Sequence, residues 1–196
     1  MSGTLCLVGG TFDCFHQGHQ SLLEAAFSCD RVEIWVSSDA IALAKDPRIK
    51  PQSERFEAIS DWCGSRPHSL HNLEDSWGPA PSRSDATHIV CTPETRKNCE
   101  KINQMRSLDG LSSLEILEVP HALARDGIPI SSSRIRQGSI DREGNLWIRA
   151  ADLERTVHMP TNLDSELKKP MGTLFPGPED TPEVAILAAI ESIPAF

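Results

Sequence analysis

Read for the spacing of its apolar positions, the first two thirds of the chain alternates between strand-like and helix-like runs. Thr4–Gly9 (TLCLVG), Arg31–Ser37 (RVEIWVS), His68–Glu74 (HSLHNLE), Thr87–Thr92 (THIVCT) and Leu114–Val119 (LEILEV) carry strand patterning. Between them GHQSLLEAAFS, SERFEAISDWC and PETRKNCEKINQMRSL repeat apolar residues at helical spacing, and Pro93 suits a first helical turn. This alternation predicts an α/β fold with a mostly parallel five-stranded sheet and helices on both faces. In such sheets ligands gather at the carboxyl ends of the strands, where strand order reverses.

The pattern changes after residue 148. Prolines accumulate from Pro160 onward, and DTPEVAILAAIESIPAF (180–196) is helix-like but apolar on nearly every side, so it needs a surface to pack against. The expected organisation is one domain over 1–148, followed by a linker and C-terminal extension over 149–196.

Composition narrows the class of function. With 196 residues, 39% of them hydrophobic, the chain can bury one good core. A net charge of -9 argues against a general nucleic-acid or anionic-membrane surface, so an anionic ligand needs a local cluster of positive groups. No apolar run approaches the roughly eighteen residues of a membrane span, and the N-terminus lacks signal-peptide regions. The expectation is a cytoplasmic protein with no nucleic-acid or membrane partner. Cys6, Cys14, Cys29, Cys63, Cys91 and Cys99 form no Cys-x-x-Cys pair and read as free, mostly buried thiols.

Three stretches carry candidate chemistry. In VGGTFDCFHQGHQSLLEAAF (Val8–Phe27) the first strand meets the first helix, whose unpaired amides and partial positive charge suit a phosphate. Gly9 and Gly10 admit close approach to a ligand, Gly18 leaves room at the helix start, and Asp13 reads as a helix cap. His16 and His19, one turn apart, can face the same anion. A metal site of Cys14, His16 and His19 lacks an evident fourth donor and ranks below the phosphate reading.

DGIPISSSRIRQGSID (126–141) offers Ser131, Ser132 and Ser133 at a second helix start, followed by Arg134 and Arg136. Hydroxyls, helix amides and guanidinium groups together suit a polyphosphate, whereas a plain serine cap with solvated arginines is the alternative. AKDPRIKPQSER (44–55) gathers Lys45, Arg48, Lys50 and Arg55, either a solvated polar loop or a mobile arm over bound phosphates. Lys45 is the first choice for that role and Lys50 its competitor.

GGTFDCFHQGH resembles the T-x-x-x-x-H-x-G-H signature of the nucleotidyltransferase superfamily, and ISSSRIR resembles its I-S-S-T/S-x-x-R signature. With PETRKNCEKINQMR and VPHALARDGIPISSSRIRQGSID in the same order, residues 4 to 145 are similar to archaeal and eukaryotic phosphopantetheine adenylyltransferases. The resemblance implies a Rossmann-like nucleotidyltransferase fold. It implies that Thr11, His16 and His19 surround the reacting phosphate, assisted by Lys45. Gly9, Gly10, Thr11, Phe12, His19, Ser131, Ser132, Ser133 and Arg134 then form the nucleotide site. Cys14 stands where the family often has another histidine. Asn103, in INQMR, is either a contact for the pantetheine arm or part of an exposed helical face.

The reaction so implied moves AMP from ATP to 4′-phosphopantetheine, with Mg²⁺ arriving on ATP, in coenzyme A biosynthesis. A cytidylyltransferase acting on a phosphorylated alcohol or sugar, or an inactive nucleotide-binding scaffold, are the alternatives. VHMPTNLDSELKKPMGTLFPGPEDTPEVAILAAI (157–190) resembles the beginning of archaeal GTP-dependent dephospho-CoA kinase. This implies a downstream fused kinase domain, of which these residues are only the start and from which no kinase activity is expected.

Overall fold

The computed structural model describes residues 3–146 and the strand residues Ile148–Arg149 and Val184–Ala185. The element order is β1 (Leu5–Gly10), α1 (Gln17–Ala26), β2 (Arg31–Ser37), α2 (Asp39–Lys45), α3 (Gln52–Cys63), β3 (His68–Leu73), β4 (His88–Cys91), α4 (Arg96–Leu108), β5 (Glu115–Glu118), α5 (Ser132–Arg136), β6 (Ile148–Arg149) and β7 (Val184–Ala185). Two compact units, Met1–Ala122 and Leu123–Phe196, divide the chain.

The first unit holds a five-stranded parallel sheet in the order β3-β2-β1-β4-β5. Each strand lies within one residue of the bounds its apolar pattern predicts. On one face Cys6, Val8, Val32, Ile34 and Val36 pack with Leu23 and Ala26 of α1 and with Ile59 and Cys63 of α3. On the other, Leu5, Leu7, Ile89 and Cys91 pack with Cys99 and Ile102 of α4. Burial on both faces explains why β1 and β2 read as nearly continuous apolar runs. Each fully buried large side chain, such as Leu23 or Ile34, contributes about 1.5–3 kcal/mol.

Two local expectations change. The polar stretch after β2 is not a loop throughout: α2 forms because Ser38 accepts from Ile41 N (3.4 Å) and Asp39 supplies negative charge in the first turn. Pro93 precedes α4 instead of starting it, since Thr95 Oγ1 accepts from Thr92 N (3.1 Å) and closes a separate turn.

The INQMR segment is structural in two ways. Asn103 donates to Leu114 O (2.9 Å) and accepts from Leu114 N (2.8 Å), which clamps the chain entering β5, so it is not simply part of an exposed face. Arg106 is buried and donates to the carbonyls of Ala80, Arg83 and Ser112, and burial pulls its pKa down.

In the second unit, the bridges Leu123↔Pro129 and Ile140↔Leu146 flank α5, and Ala124, Ile130, Ile135 and Ile140 are buried. The expected 148/149 boundary and most of the 149–196 extension lie outside the described residues. Within the segment expected to be helical, Val184–Ala185 pairs antiparallel with Ile148–Arg149 as a short strand. The kinase-like stretch 157–190 otherwise lies outside the described residues. All six cysteines are free, and burial pushes the Cys99 thiol up to about 12. Among the described residues, no helix is long and apolar enough to cross a membrane.

Candidate active site

β1 is central in the sheet, with β2 on one side and β4 on the other, so its carboxyl end marks the point where strand order reverses. A cleft of about 340 Å³ opens there, with Gly9, Gly10, Trp35, Lys45, Trp77 and Asn98 in its walls. A side chain at Gly9 would meet only Leu73, at 3.9 Å, so the glycine keeps the floor of the cleft open.

The loop leaving β1 is strained and tightly held. Phe12 (φ 56°) and Cys14 (φ 49°) adopt left-handed backbone, at a cost of order 1–3 kcal/mol each. Burial of the Phe12 ring, which packs 5.2 Å from the His19 ring, returns a comparable amount. The side chain of Phe12 therefore belongs to the core. Asp13 is also buried and accepts from Lys50 N (3.2 Å) and Cys14 Sγ (3.4 Å). It braces the loop and is not the helix cap.

His16 is the cap. Its Nδ1 accepts from Gly18 N (3.1 Å), while His19 Nδ1 accepts from His16 N (3.4 Å), a reciprocal pairing of side chains and backbone. A Cβ at Gly18 would lie 3.1 Å from the His16 ring, so the glycine between the histidines permits the cap. The two rings stack with centroids 3.8 Å apart. Because each Nδ1 accepts, Nε2 is the N–H donor of each ring, giving the pair two donors.

Burial and then the neighbouring His16 hold the His19 pKa well below the ordinary histidine value. At neutral pH its ring is uncharged. The unfolded chain takes up a proton near pH ~6.5 that the folded chain refuses, so this contribution to stability is present above that pH and lost as pH falls below it. Urea unfolding at about pH 7 and about pH 5.5 is expected to show wild type losing about 1 kcal/mol more than His19→Gln. Equal losses would contradict a neutral imidazole at His19.

The positive cluster after β2 separates into distinct roles. Lys45, in the last turn of α2, donates to Thr11 Oγ1 at 3.2 Å. Lys50 pairs with Glu54 (3.1 Å) and Arg48 with Asp46 (2.9 Å). Arg55 is not part of a mobile arm: it is buried and donates to Thr11 O (2.8 Å), Lys50 O (2.9 Å) and Asp39 Oδ1 (2.8 Å). Its burial had a sequence signal, since Arg55, Ile59 and Cys63 recur every fourth residue on the buried face of α3. Trp35 and Trp77, which wall the cleft, were not singled out by any motif.

In the first unit Lys45 thus meets Thr11, and His16 stacks on His19. Ser131, Ser132, Ser133 and Arg134 lie in the second. There Ser131 caps α5 by accepting from Arg134 N (3.4 Å), and Ser133 Oγ accepts from Arg136 (3.4 Å). Arg134 pairs with Asp126 and donates to Ile128 O and Pro129 O, both at 3.1 Å, so its guanidinium is engaged within its own unit. Among the described residues, no three His, Cys, Asp or Glu side chains converge to hold a metal ion.

An ammonium, a hydroxyl, two imidazole N–H donors and helix amides can bind phosphate and stabilise charge on it. Residues 7–138 match the family model described as cytidylyltransferase-like. A phosphopantetheine adenylyltransferase of Methanothermobacter thermautotrophicus is 38% identical over 146 residues, covering 73% of this chain and 89% of that one. A bifunctional phosphopantetheine adenylyltransferase/NTP phosphatase of Thermoplasma acidophilum is 37% identical over 145 residues, covering 71% of this chain and 44% of that one. Among solved structures, an Archaeoglobus fulgidus protein described as of unknown function aligns with TM-score 0.54 and 29% identity, covering 59% of this chain and 88% of that one.

Proposed function

Because the chain belongs to the phosphopantetheine adenylyltransferase family of cytidylyltransferase-like proteins, we propose that its cleft transfers AMP from ATP to 4′-phosphopantetheine. The products are dephospho-CoA and pyrophosphate. The observation that carries this reading is the 3.2 Å approach of Lys45 to Thr11 on the loop that leads from β1 to the paired histidines.

The acceptor is already a phosphate oxyanion, so no general base is required. Thr11 and Lys45 hold that phosphate and aim one of its oxygens at the α-phosphorus of ATP. The new P–O bond forms as the bond from the α-phosphorus to the bridging oxygen breaks, and the electron pair leaves with pyrophosphate. Nε2–H of His16 and His19 donates to the α-phosphate oxygens, where charge is redistributed in the transition state. Burial holds His19 neutral at neutral pH, so its ring does this without taking up a proton. The nucleotide substrate is MgATP, its cation carried by phosphate oxygens.

Incubating the full chain with Mg²⁺, 4′-phosphopantetheine and either ATP or CTP tests the reading, with pyrophosphate and the nucleotide product measured by mass. Dephospho-CoA formed with ATP and little product with CTP is expected. A cytidylyl product, or ATP binding without turnover, overturns it.

The kinase-like stretch 157–190 is proposed to open a domain for the next phosphorylation. That a Thermoplasma relative is a longer bifunctional protein supports fusion as an arrangement for this domain. The reading frame beyond Phe196 tests it.

A further inference from the structure

Three candidates outside the reacting groups are the contacting thiols Cys91 and Cys99, the groove lined by Arg31, Glu33 and His68, and buried Arg55. Burial raises both thiols, which suppresses thiolate chemistry. The groove's Glu33 is already paired with Arg83 at 2.6 Å. Arg55 is different, because each of its bonds ends on an element that carries or supports a phosphate-site residue.

We infer that Arg55 is a positioning residue that fixes Thr11 against Lys45. Its NH1 holds the carbonyl of Thr11 itself at 2.8 Å. Its NH2 holds Asp39, the first residue of α2, at 2.8 Å, and Lys45 is the last residue of that helix. Its Nε holds Lys50 O at 2.9 Å, and Lys50 N in turn donates to Asp13 at 3.2 Å. Asp39 also accepts from Gln52 N at 2.7 Å, which fixes the start of α3 to the start of α2. One planar guanidinium therefore joins the loop bearing the hydroxyl to the helix bearing the ammonium. A lysine ammonium has no such fixed fork and cannot keep all three directions.

The consequence deepens the proposed function and rests on it: Arg55 sets alignment of the acceptor phosphate and leaves the nucleotide largely untouched. Arg55→Lys is expected to lower kcat/KM for 4′-phosphopantetheine about 100-fold while the Kd for ATP moves less than about twofold. Since what Arg55 supplies is the alignment of Thr11 with Lys45, the same substitution made in a Lys45→Ala background is expected to cost under about threefold. Equal losses in both backgrounds, or parallel losses of acceptor and ATP affinity, overturn the inference.

Thermal melting and far-UV circular dichroism establish that each variant folds. Should Arg55→Lys not fold, Asp39→Asn removes the charge of the partner while retaining its shape, and a smaller loss on the acceptor side alone is expected. A substrate-free measurement separates this inference from the assigned reaction. In protein labelled at threonine methyls, the Thr11 resonance is expected to move with Lys45→Ala and with Arg55→Lys. If wild type makes no dephospho-CoA, the reaction assignment fails, and a Thr11 methyl unmoved by Arg55→Lys overturns the positioning role by itself.

Discussion

Replacing His19 with alanine is expected to lower turnover about 10²- to 10³-fold, the range for loss of one preorganised donor to a reacting oxyanion. The Kd for ATP is expected to change less than about threefold, because most of the ground-state attraction for the triphosphate comes from other groups. His19 Nδ1 is occupied by the backbone of His16, so the ring has one orientation and its remaining donor is Nε2–H. Stacking on His16 at 3.8 Å and on Phe15 at 5.9 Å holds that orientation. The variant also loses half of a reciprocal helix cap, worth about 1 kcal/mol, so rates belong beside a melting curve. Comparable turnover by folded wild type and variant would remove the role given to His19.

The second large effect distinguishes two lysines that the sequence left in competition. Lys45→Ala is expected to reduce kcat/KM for 4′-phosphopantetheine about 10²- to 10³-fold. Lys50→Ala is expected to change it less than about threefold, because an exposed i,i+4 pair such as Lys50–Glu54 contributes only about 0.3–0.5 kcal/mol. The reason is placement. Lys45 reaches Thr11 from the end of a capped helix, whereas Lys50 Nζ points into its pair with Glu54. Steady-state kinetics of the two variants on one preparation decide the matter, and the opposite ranking would transfer the role to Lys50.

What the sequence revealed and what it concealed follow from the range of the interactions. Strands buried on both faces announce themselves locally, and β2 was legible end to end as Arg31–Ser37. The histidine pair was legible too, as two imidazoles three apart at a helix start, although the reciprocal cap and not helix periodicity brings them together. α2 was not, since DAIALAK is short and its cap at Ser38 merges with the polar residues that follow. Missing it turned a rigid mount for Lys45 into an expected mobile arm. The fate of Arg55 depended on Thr11, a residue 44 positions away, and that of Arg134 on Asp126 eight positions before it. Charge counts cannot distinguish such engaged guanidinium groups from solvated ones. Asp13 shows the same limit: its residue type suggested a local cap, while its partner Lys50 N lies 37 positions along the chain.

The pairing of β1 with β4 bears on how the protein reaches its native state. Leu7 aligns with Ile89, and Leu5 is bound to Thr87 across 82 residues of sequence. The floor of the cleft is thus the seam with a long loop to close, and loop-closure entropy must be met before the contacts across it accumulate. Local helices and the neighbouring β1–β2 pair can form ahead of it. Competence to bind ligand is accordingly expected to arrive with that seam, so in stopped-flow refolding the helix signal is expected to recover before ATP binding.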